Sequence, residues 1–229
     1  MKKFLALAAL ISVSAAPSFA DTIATWTFET TSASIGGTSN HIDNIAADVG
    51  SGTASGVHAS ASTVWSSPAG NGSAHSFSDN NWAVGDYAQF QLSTVGFHGL
   101  SLSYDQTSSG TGPRDFTLSY SLNGTSFTQI GSMYSVLANS APNAWNATTP
   151  FSIYTFNYDL GSLVDDSPTV YFRITDASTT SAGGGTVATG GTDRIDNFSV
   201  FTTPVPEPSV AALSILSGLA GLVIWKRRK

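Results

Sequence analysis

The sequence predicts an all-β protein folded as a single antiparallel β-sandwich. Apolar and polar side chains alternate with a period of two, as in Phe116 to Leu122, and a helical period is hard to find in the interior of the chain. The alternating runs are short and are separated by Gly, Pro and Asn, which are residues that occur in turns. Many short strands without helical blocks are typical of two packed sheets, and we expect a jelly roll.

About ten strands are expected from this alternation. The segments that predict them are residues 23–28, 57–65, 86–92, 100–104, 116–122, 126–130, 154–160, 170–174 and 194–201. Asn123-Gly124 supplies the residues that tolerate a positive φ in a hairpin turn. We expect the first and last strands to pair and so to close one domain.

Two stretches rich in Gly, Ser and Thr are predicted as long loops. They cover Ser32 to Ala61 and Asp176 to Thr192. The second contains Gly183-Gly184-Gly185 and Gly190-Gly191, and glycine adds backbone entropy. This loop is therefore predicted to be flexible.

The charge of the chain is distributed unevenly. Residues 21 to 205 hold three Arg, no Lys and fourteen Asp or Glu, which gives a formal charge of −11. Such a body is repelled by phosphate backbones, so the composition argues against nucleic-acid binding. The absence of Cys excludes disulfides, thiolate metal sites and Cys nucleophiles.

The N-terminus has the pattern of a Sec signal peptide. Lys2 and Lys3 precede the apolar run Phe4 to Val13, and Ser18 and Ala20 are the small residues that signal peptidase reads. Residues 1–20 are therefore predicted to be removed by cleavage between Ala20 and Asp21. This predicts an exported protein.

The C-terminus has the pattern of one membrane-spanning helix. Ser209 to Trp225 contains no charge, and seventeen helical residues extend about 25 Å. The basic block Lys226 to Lys229 is expected to stay in the cytoplasm. Pro206, Glu207 and Pro208 come just before this helix, in a stretch that is predicted to be extended.

This tail resembles the PEP-CTERM sorting signal of Gram-negative bacteria. Pro206, Glu207 and Pro208 match its recognition motif, and the apolar helix and basic end follow in the same order. The resemblance implies recognition by an exosortase, an inner-membrane-tethered precursor, and release to the cell surface or to the exopolysaccharide matrix of a biofilm. The chain is thus divided into a signal peptide (1–20), a β-sandwich ectodomain (21–203) and a sorting signal (204–229).

The ectodomain also carries a resemblance. Residues 80–127 and the closing segment RIDNFSVF resemble jelly-roll ectodomains of exported bacterial proteins. In carbohydrate-binding modules, which such a domain resembles, a structural Ca²⁺ often lies between the first and last strands. The resemblance suggests Glu29, Asp193 and Asp196 as ligands, since Ca²⁺ prefers oxygen donors. The alternative for both aspartates is an ion pair with Arg194.

The sequence contains no enzyme signature. It lacks a G-x-S-x-G elbow, an H-E-x-x-H motif and a P-loop. Asp165-Asp166 is the only adjacent pair of carboxylates, and it lies before Ser167-Pro168 in a predicted turn. We therefore expect a protein that is not an enzyme.

Glycan binding in such folds uses exposed aromatic rings that stack on sugar faces. Trp65, Trp82 and Trp145 lie near or in loop-like sequence, and Trp145 is expected to be the most exposed, while Trp26 is assigned to the core. The prediction is an exported surface or matrix protein that binds glycans or adheres. A secreted glycan-processing enzyme and a structural surface protein without a small ligand are the alternatives.

Overall fold

Thirteen strands and one turn of 3₁₀ helix are formed by residues 20–202, the part of the chain that this computed structural model describes. The strands are β1 (Thr22–Trp26), β2 (His41–Ala46), β3 (Val49–Gly50), β4 (Gly52–Val57), β5 (Trp65–Ser66), β6 (Phe77–Asp79), β7 (Tyr87–Leu92), β8 (Leu100–Ser108), β9 (Asp115–Ser121), β10 (Thr128–Ser135), β11 (Thr155–Gly161), β12 (Val170–Asp176) and β13 (Asp193–Thr202). The 3₁₀ turn, Ser152–Tyr154, comes just before β11.

The strands form two antiparallel sheets. The seven-stranded sheet has the order β11-β8-β13-β1-β3, with β6 also paired to β13 and β5 to β6. The six-stranded sheet has the order β10-β9-β12-β7-β4-β2. The predicted all-β, two-sheet sandwich is therefore confirmed.

The core lies between the sheets because the inward side chains of both are apolar. Phe90 of β7 stacks on Phe198 of β13 with ring centroids 3.6 Å apart, which joins the two sheets directly. Trp26 of β1 meets the edges of both rings at 5.3 and 5.8 Å and is fully buried, as expected. Edge-to-face and stacked rings add to the free energy gained by burying apolar area.

The first and last strands pair, as the sequence predicts. Thr22 of β1 lies opposite Phe201 of β13, and Trp26 lies opposite Phe198. Beyond the strands, the Asp21 amide donates to Thr202 Oγ1 at 2.8 Å, and the Thr202 amide donates to the Asp21 carbonyl at 2.9 Å. Both ends of the sandwich therefore leave it at the same place.

The predicted hairpin at Asn123-Gly124 joins β9 to β10, with Gly124 at φ 74°. The connection is longer than a two-residue turn because Asn123 Oδ1 accepts hydrogen bonds from the amides of Thr125 and Ser126. These bonds organise a loop over residues 122–127 before β10 begins.

The prediction of one long loop over residues 32–61 is wrong, since β2, β3 and β4 lie in it. The predicted strand at 57–65 contains mostly loop. The apolar alternation did not reveal β4 because its residues are small, and the packing requires them to be small. A Cβ on Gly52 would lie 2.7 Å from the Trp26 ring, and one on Gly56 would lie 2.4 Å from the Trp65 ring.

The segment after β12 is free of strands, but it is tightly bonded rather than flexible. The Arg114 amide donates to the Thr180 carbonyl and the Ala188 amide donates to the Thr111 carbonyl, each at 3.0 Å. A Cβ on Gly191 would lie 2.1 Å from the Thr111 carbonyl oxygen. The glycines therefore allow two backbone segments to touch.

Several sequence predictions concern residues outside the described part of the chain. These are most of the signal peptide, the motif Pro206-Glu207-Pro208, the apolar helix and the basic end. Ala20 and Asp21, on either side of the predicted cleavage, are exposed. Among residues 20–202, no helix is long and apolar enough to cross a bilayer.

Candidate functional site

The outward side chains of four central strands in the six-stranded sheet form a continuous surface, which we call the outer face. Cross-strand pairing aligns them in three rows across β4, β7, β12 and β9. The rows are Thr53–Gln91–Tyr171–Ser121, Ser55–Gln89–Arg173–Ser119 and Val57–Tyr87–Thr175–Thr117. Alternation in each strand directs these residues away from the core, and all of them except Ser121, which is 2% exposed, reach the surface.

Arg173 lies at the centre of the outer face between two aromatic rings. Its guanidinium carbon is 4.0 Å from the centroid of Tyr87 and 3.8 Å from that of Phe127, which precedes β10. Its Nε donates to Gln89 Oε1 at 2.8 Å. Stacking and a hydrogen bond together fix the plane of the guanidinium.

Tyr171 is held in a similar way at one end of the outer face. A Cβ on Gly124 would lie 3.2 Å from the Tyr171 ring, so the β9–β10 loop rests against it. Tyr87, Tyr171 and Phe127 are all half-buried. The outer face thus presents aromatic surface whose position is set by its neighbours.

A cleft of about 310 Å³ continues the outer face where β7 ends and β12 begins. It is lined by Ser51, Gly52, Thr53, Gln91, Leu92, Ser93, Pro168 and Thr169. Thr53 and Gln91 belong to both the cleft and the outer face. Hydroxyl, amide and apolar groups are therefore available along one surface, and none of the cleft residues titrates.

The outer face also lacks acidic side chains. None of its twelve aligned positions on β4, β7, β9 and β12 is Asp or Glu, although the domain is strongly acidic. Arg173 is the one charged residue among these positions. The chemistry on offer is ring stacking, hydrogen bonding and a single positive charge.

The three tryptophans nominated from the sequence are buried, and the expectation of an exposed Trp145 is wrong. Trp65, Trp82 and Trp145 are 1%, 8% and 6% exposed. Trp65 stacks on Phe77, and Trp145 packs edge-on against Tyr154. Burial of these large rings against other rings removes the faces that a sugar would need.

The three nominated calcium ligands all accept hydrogen bonds from other groups of the protein. Glu29 accepts a hydrogen bond from the His75 amide at 2.7 Å, and Asp193 accepts from Gln106 and Ser108. Asp196 accepts from the Asn71 amide at 2.8 Å and from Ser73. In residues 20–202 no group of three acidic or His side chains is arranged to hold a metal, and calcium binding by these residues stays a prediction.

Arg194 does not form an ion pair within 4.0 Å with either aspartate in the described part of the chain; its Nη1 donates to the Ala69 carbonyl at 3.4 Å. The adjacent carboxylates Asp165 and Asp166 hold the β7–β8 loop by accepting from the amides of Gly99 and Gly96. They act as turn residues, as the sequence suggests.

Sequence reasoning missed a buried cluster that is centred on His58, the residue that follows β4. The cluster also contains Trp65 of β5, Asp79 of β6 and Trp82. His58 is 2% exposed and lies between the rings of Trp65 and Trp82, with centroids 4.8 and 4.4 Å away. Its Nε2 is 3.7 Å from Asp79 Oδ1, and neither atom has a hydrogen-bond partner among the described residues. Burial lowers the pKa of His58 to about 4, which keeps the ring neutral.

The aspartates around this cluster keep their protons to unusually high pH. Burial raises the pKa of Asp79 well above its usual range and that of Asp193 to about 7. Burial likewise raises the pKa of Asp176 to about 6, and that of Asp196, which is bonded to Asn71 and Ser73 elsewhere on β13, to about 6. In contrast, hydrogen bonds from Arg114 hold the pKa of Asp115 well below its usual range.

No family model matches the chain, and no curated protein matches it. Solved β-sandwich structures are similar to it, and among them are carbohydrate-binding modules of the β-sandwich superfamily, with 14% identity over 79% of this chain and 62% of that chain and a TM-score of 0.42.

Two further structures are similar to a comparable degree. The K2 cleaved adhesin domain of Lys-gingipain shares 14% identity over 78% of this chain and 97% of its own, with a TM-score of 0.42. The N-terminal modules of a Clostridium thermocellum endo-1,4-β-D-xylanase, solved with xylohexaose, share 14% over 82% of this chain and 30% of theirs, with a TM-score of 0.45. Similarity of this extent assigns no ligand, so the function rests on the residues of this chain.

Proposed function

We propose that this chain is an exported, non-catalytic glycan-binding protein of the bacterial cell surface or exopolysaccharide matrix, delivered there by an exosortase. Glycan binding is assigned to the outer face and its cleft. The observation that carries this proposal is the row of aligned amides, hydroxyls and held aromatic rings around Arg173. Sugars are bound by such combinations of ring faces and hydrogen-bonding side chains.

The composition of the outer face supports binding rather than hydrolysis. Glycoside hydrolysis requires two carboxyl groups on either side of the scissile bond. The aligned positions of the outer face carry none, and the cleft lining carries none. The buried aspartates with raised pKa values are between 0% and 4% exposed and so do not meet a polymeric substrate.

We expect the chain from Asp21 to Thr203 to be retarded in native gels that contain the producer's exopolysaccharide. Gln91→Ala removes an amide shared by the outer face and the cleft, so affinity should fall about fivefold. Asn157→Ala is the matched control, because it removes an exposed amide from β11 in the other sheet.

If the polysaccharide retards the Gln91→Ala and Asn157→Ala variants equally, the glycan-binding site does not lie on the outer face. No retardation of the unaltered chain by any polysaccharide would favour the structural surface protein. Shortening of the polysaccharide, abolished by an Asp substitution, would favour the glycan-processing enzyme.

Sorting is proposed from the ends of the sequence. Mass spectrometry of the protein recovered from the producing cells should find Asp21 as the first residue and a new C-terminus near Pro206. A mature protein that still ends in Lys229 would rule out exosortase processing. The same measurement on a Glu207→Ala variant tests the motif, since loss of recognition should leave the tail attached.

A further inference from the structure

Arg173 differs from the other two arginines of the ectodomain in its electrostatic surroundings. Arg114 forms an ion pair with Asp115 at 2.8 Å, whereas burial lowers the pKa of Arg194 and the charge of Asp193 partly offsets this effect. Arg173 has no carboxylate within 4.0 Å among the described residues, although the body carries a formal charge of −11. Arg173 thus lies among aligned positions that carry no Asp or Glu.

The geometry leaves the outer edge of the guanidinium available. The faces of the group are covered by Tyr87 and Phe127, and Nε is used by Gln89. The two terminal nitrogens, Nη1 and Nη2, make no hydrogen bond or ion pair with any residue between 20 and 202. These nitrogens present parallel N–H groups, the arrangement that binds both oxygens of a carboxylate.

Because Arg173 is half-buried, an anionic partner would stabilise its charge strongly. Arg173 is half-buried, and burial lowers its pKa, while nearby Tyr87 partly offsets this effect. Arginine remains charged in proteins, so the charge persists with only ring faces and one amide oxygen to stabilise it. An anion that approached the open edge would gain more from the contact than it would in water.

We propose that the outer face binds a sugar residue that carries a carboxylate, with both carboxylate oxygens on Nη1 and Nη2 of Arg173. This rests on the proposed function and names its ligand class as an acidic glycan. Ser119 lies in the same row as Arg173, and Gln91 and Tyr171 lie in the adjoining row, within reach of the hydroxyls and ring faces of the same or adjoining sugars. A carboxylate suits the site because it is planar, as is the clamped guanidinium.

The test uses two trisaccharides in calorimetric titrations of the full mature chain. One carries glucuronate at its non-reducing end, and the other is the same trisaccharide after reduction of that carboxyl to an alcohol. We expect the acidic trisaccharide to bind about tenfold more tightly or better. Arg173→Gln should abolish this preference, so that the variant binds the two trisaccharides with equal affinity.

Two further variants make the result specific. Arg173→Lys keeps the charge but loses the parallel donors, so most of the preference should disappear. Arg194→Gln removes one positive charge from β13 in the other sheet and should leave the preference intact. The melting temperature of each variant establishes that it is folded.

The outcomes separate the two proposals. Equal affinity for both trisaccharides, or an unchanged preference in Arg173→Gln, overturns the acidic ligand and leaves glycan binding standing. Failure to bind either trisaccharide or the producer's polysaccharide overturns both. Equal loss of preference in Arg194→Gln would mean that the net charge of the domain, and not Arg173, selects the ligand.

Discussion

Gly191→Ala should destabilise the ectodomain by about 3 kcal/mol or more. A methyl group at this position would lie 2.1 Å from the Thr111 carbonyl oxygen and 2.7 Å from the Gly112 amide nitrogen. Both atoms belong to backbone, which cannot rotate away as a long side chain does. The free energy of unfolding, measured in urea at constant pH, should show the loss directly.

Gly190→Ala is the matched control for this experiment. The adjacent glycine has nothing within 4 Å of the position that its Cβ would take, and neither glycine has a positive φ. Its substitution should change stability by less than about 1 kcal/mol. Similar unfolding curves for the two variants would show that the segments around Thr111 and Gly191 are not in contact in solution.

The ectodomain should be more stable at pH 5 than at pH 8, by a few kcal/mol. The pKa values of Asp176 and Asp196 are raised to about 6 and that of Asp193 to about 7, all by burial. A folded-state pKa above the unfolded value gives stability that is present at low pH and is lost as pH rises through the folded value. For these three groups the loss begins near the ordinary pKa of 3.8 and is complete once the pH has passed the folded values of about 6 and 7, so much of it falls between pH 5 and pH 7.

His58 acts in the opposite sense over part of this range. Its folded pKa of about 4 lies below the unfolded value, so its contribution to stability falls as pH decreases from about 6.5 toward 4. The three aspartates together outweigh one histidine above pH 5. Urea midpoints taken at half-unit steps from pH 5 to 8 should therefore decline.

Asp193→Asn should flatten this decline by removing one titrating group, since an amide stays neutral throughout. Asp43→Asn serves as the control because the Asp43 side chain is 55% exposed. A wild-type midpoint that rises from pH 5 to pH 8 would show that the buried aspartates are already ionised in the folded protein at pH 5.

Period-two alternation was enough to predict the sandwich, and the reason is physical. Strands such as β7 and β12 have one face in the core, so each alternate residue must be apolar. The same rule failed for β4, where Gly52 and Gly56 are small because the rings of Trp26 and Trp65 occupy the space that their side chains would need. The sequence pattern shows which positions are hydrophobic, but it does not show which neighbouring side chain fills the space beside a small residue.

The candidate site was harder to predict for a related reason. Tryptophans in loop-like sequence were expected to be exposed, but the loops fold back and bury them, as Trp145 against Tyr154 illustrates. The informative signal was present in the strands themselves. Tyr87, Tyr171 and Arg173 occupy positions that alternation assigns to solvent, where Ser or Thr would suffice, and their side-by-side placement depends on pairing that sequence alone does not give.

The adjacency of Asp21 and Thr202 has a practical outcome for anyone who engineers this domain. A short Gly-Ser linker could join Thr202 to Asp21, and new termini could then be introduced in another loop, because circular permutation succeeds where termini are neighbours.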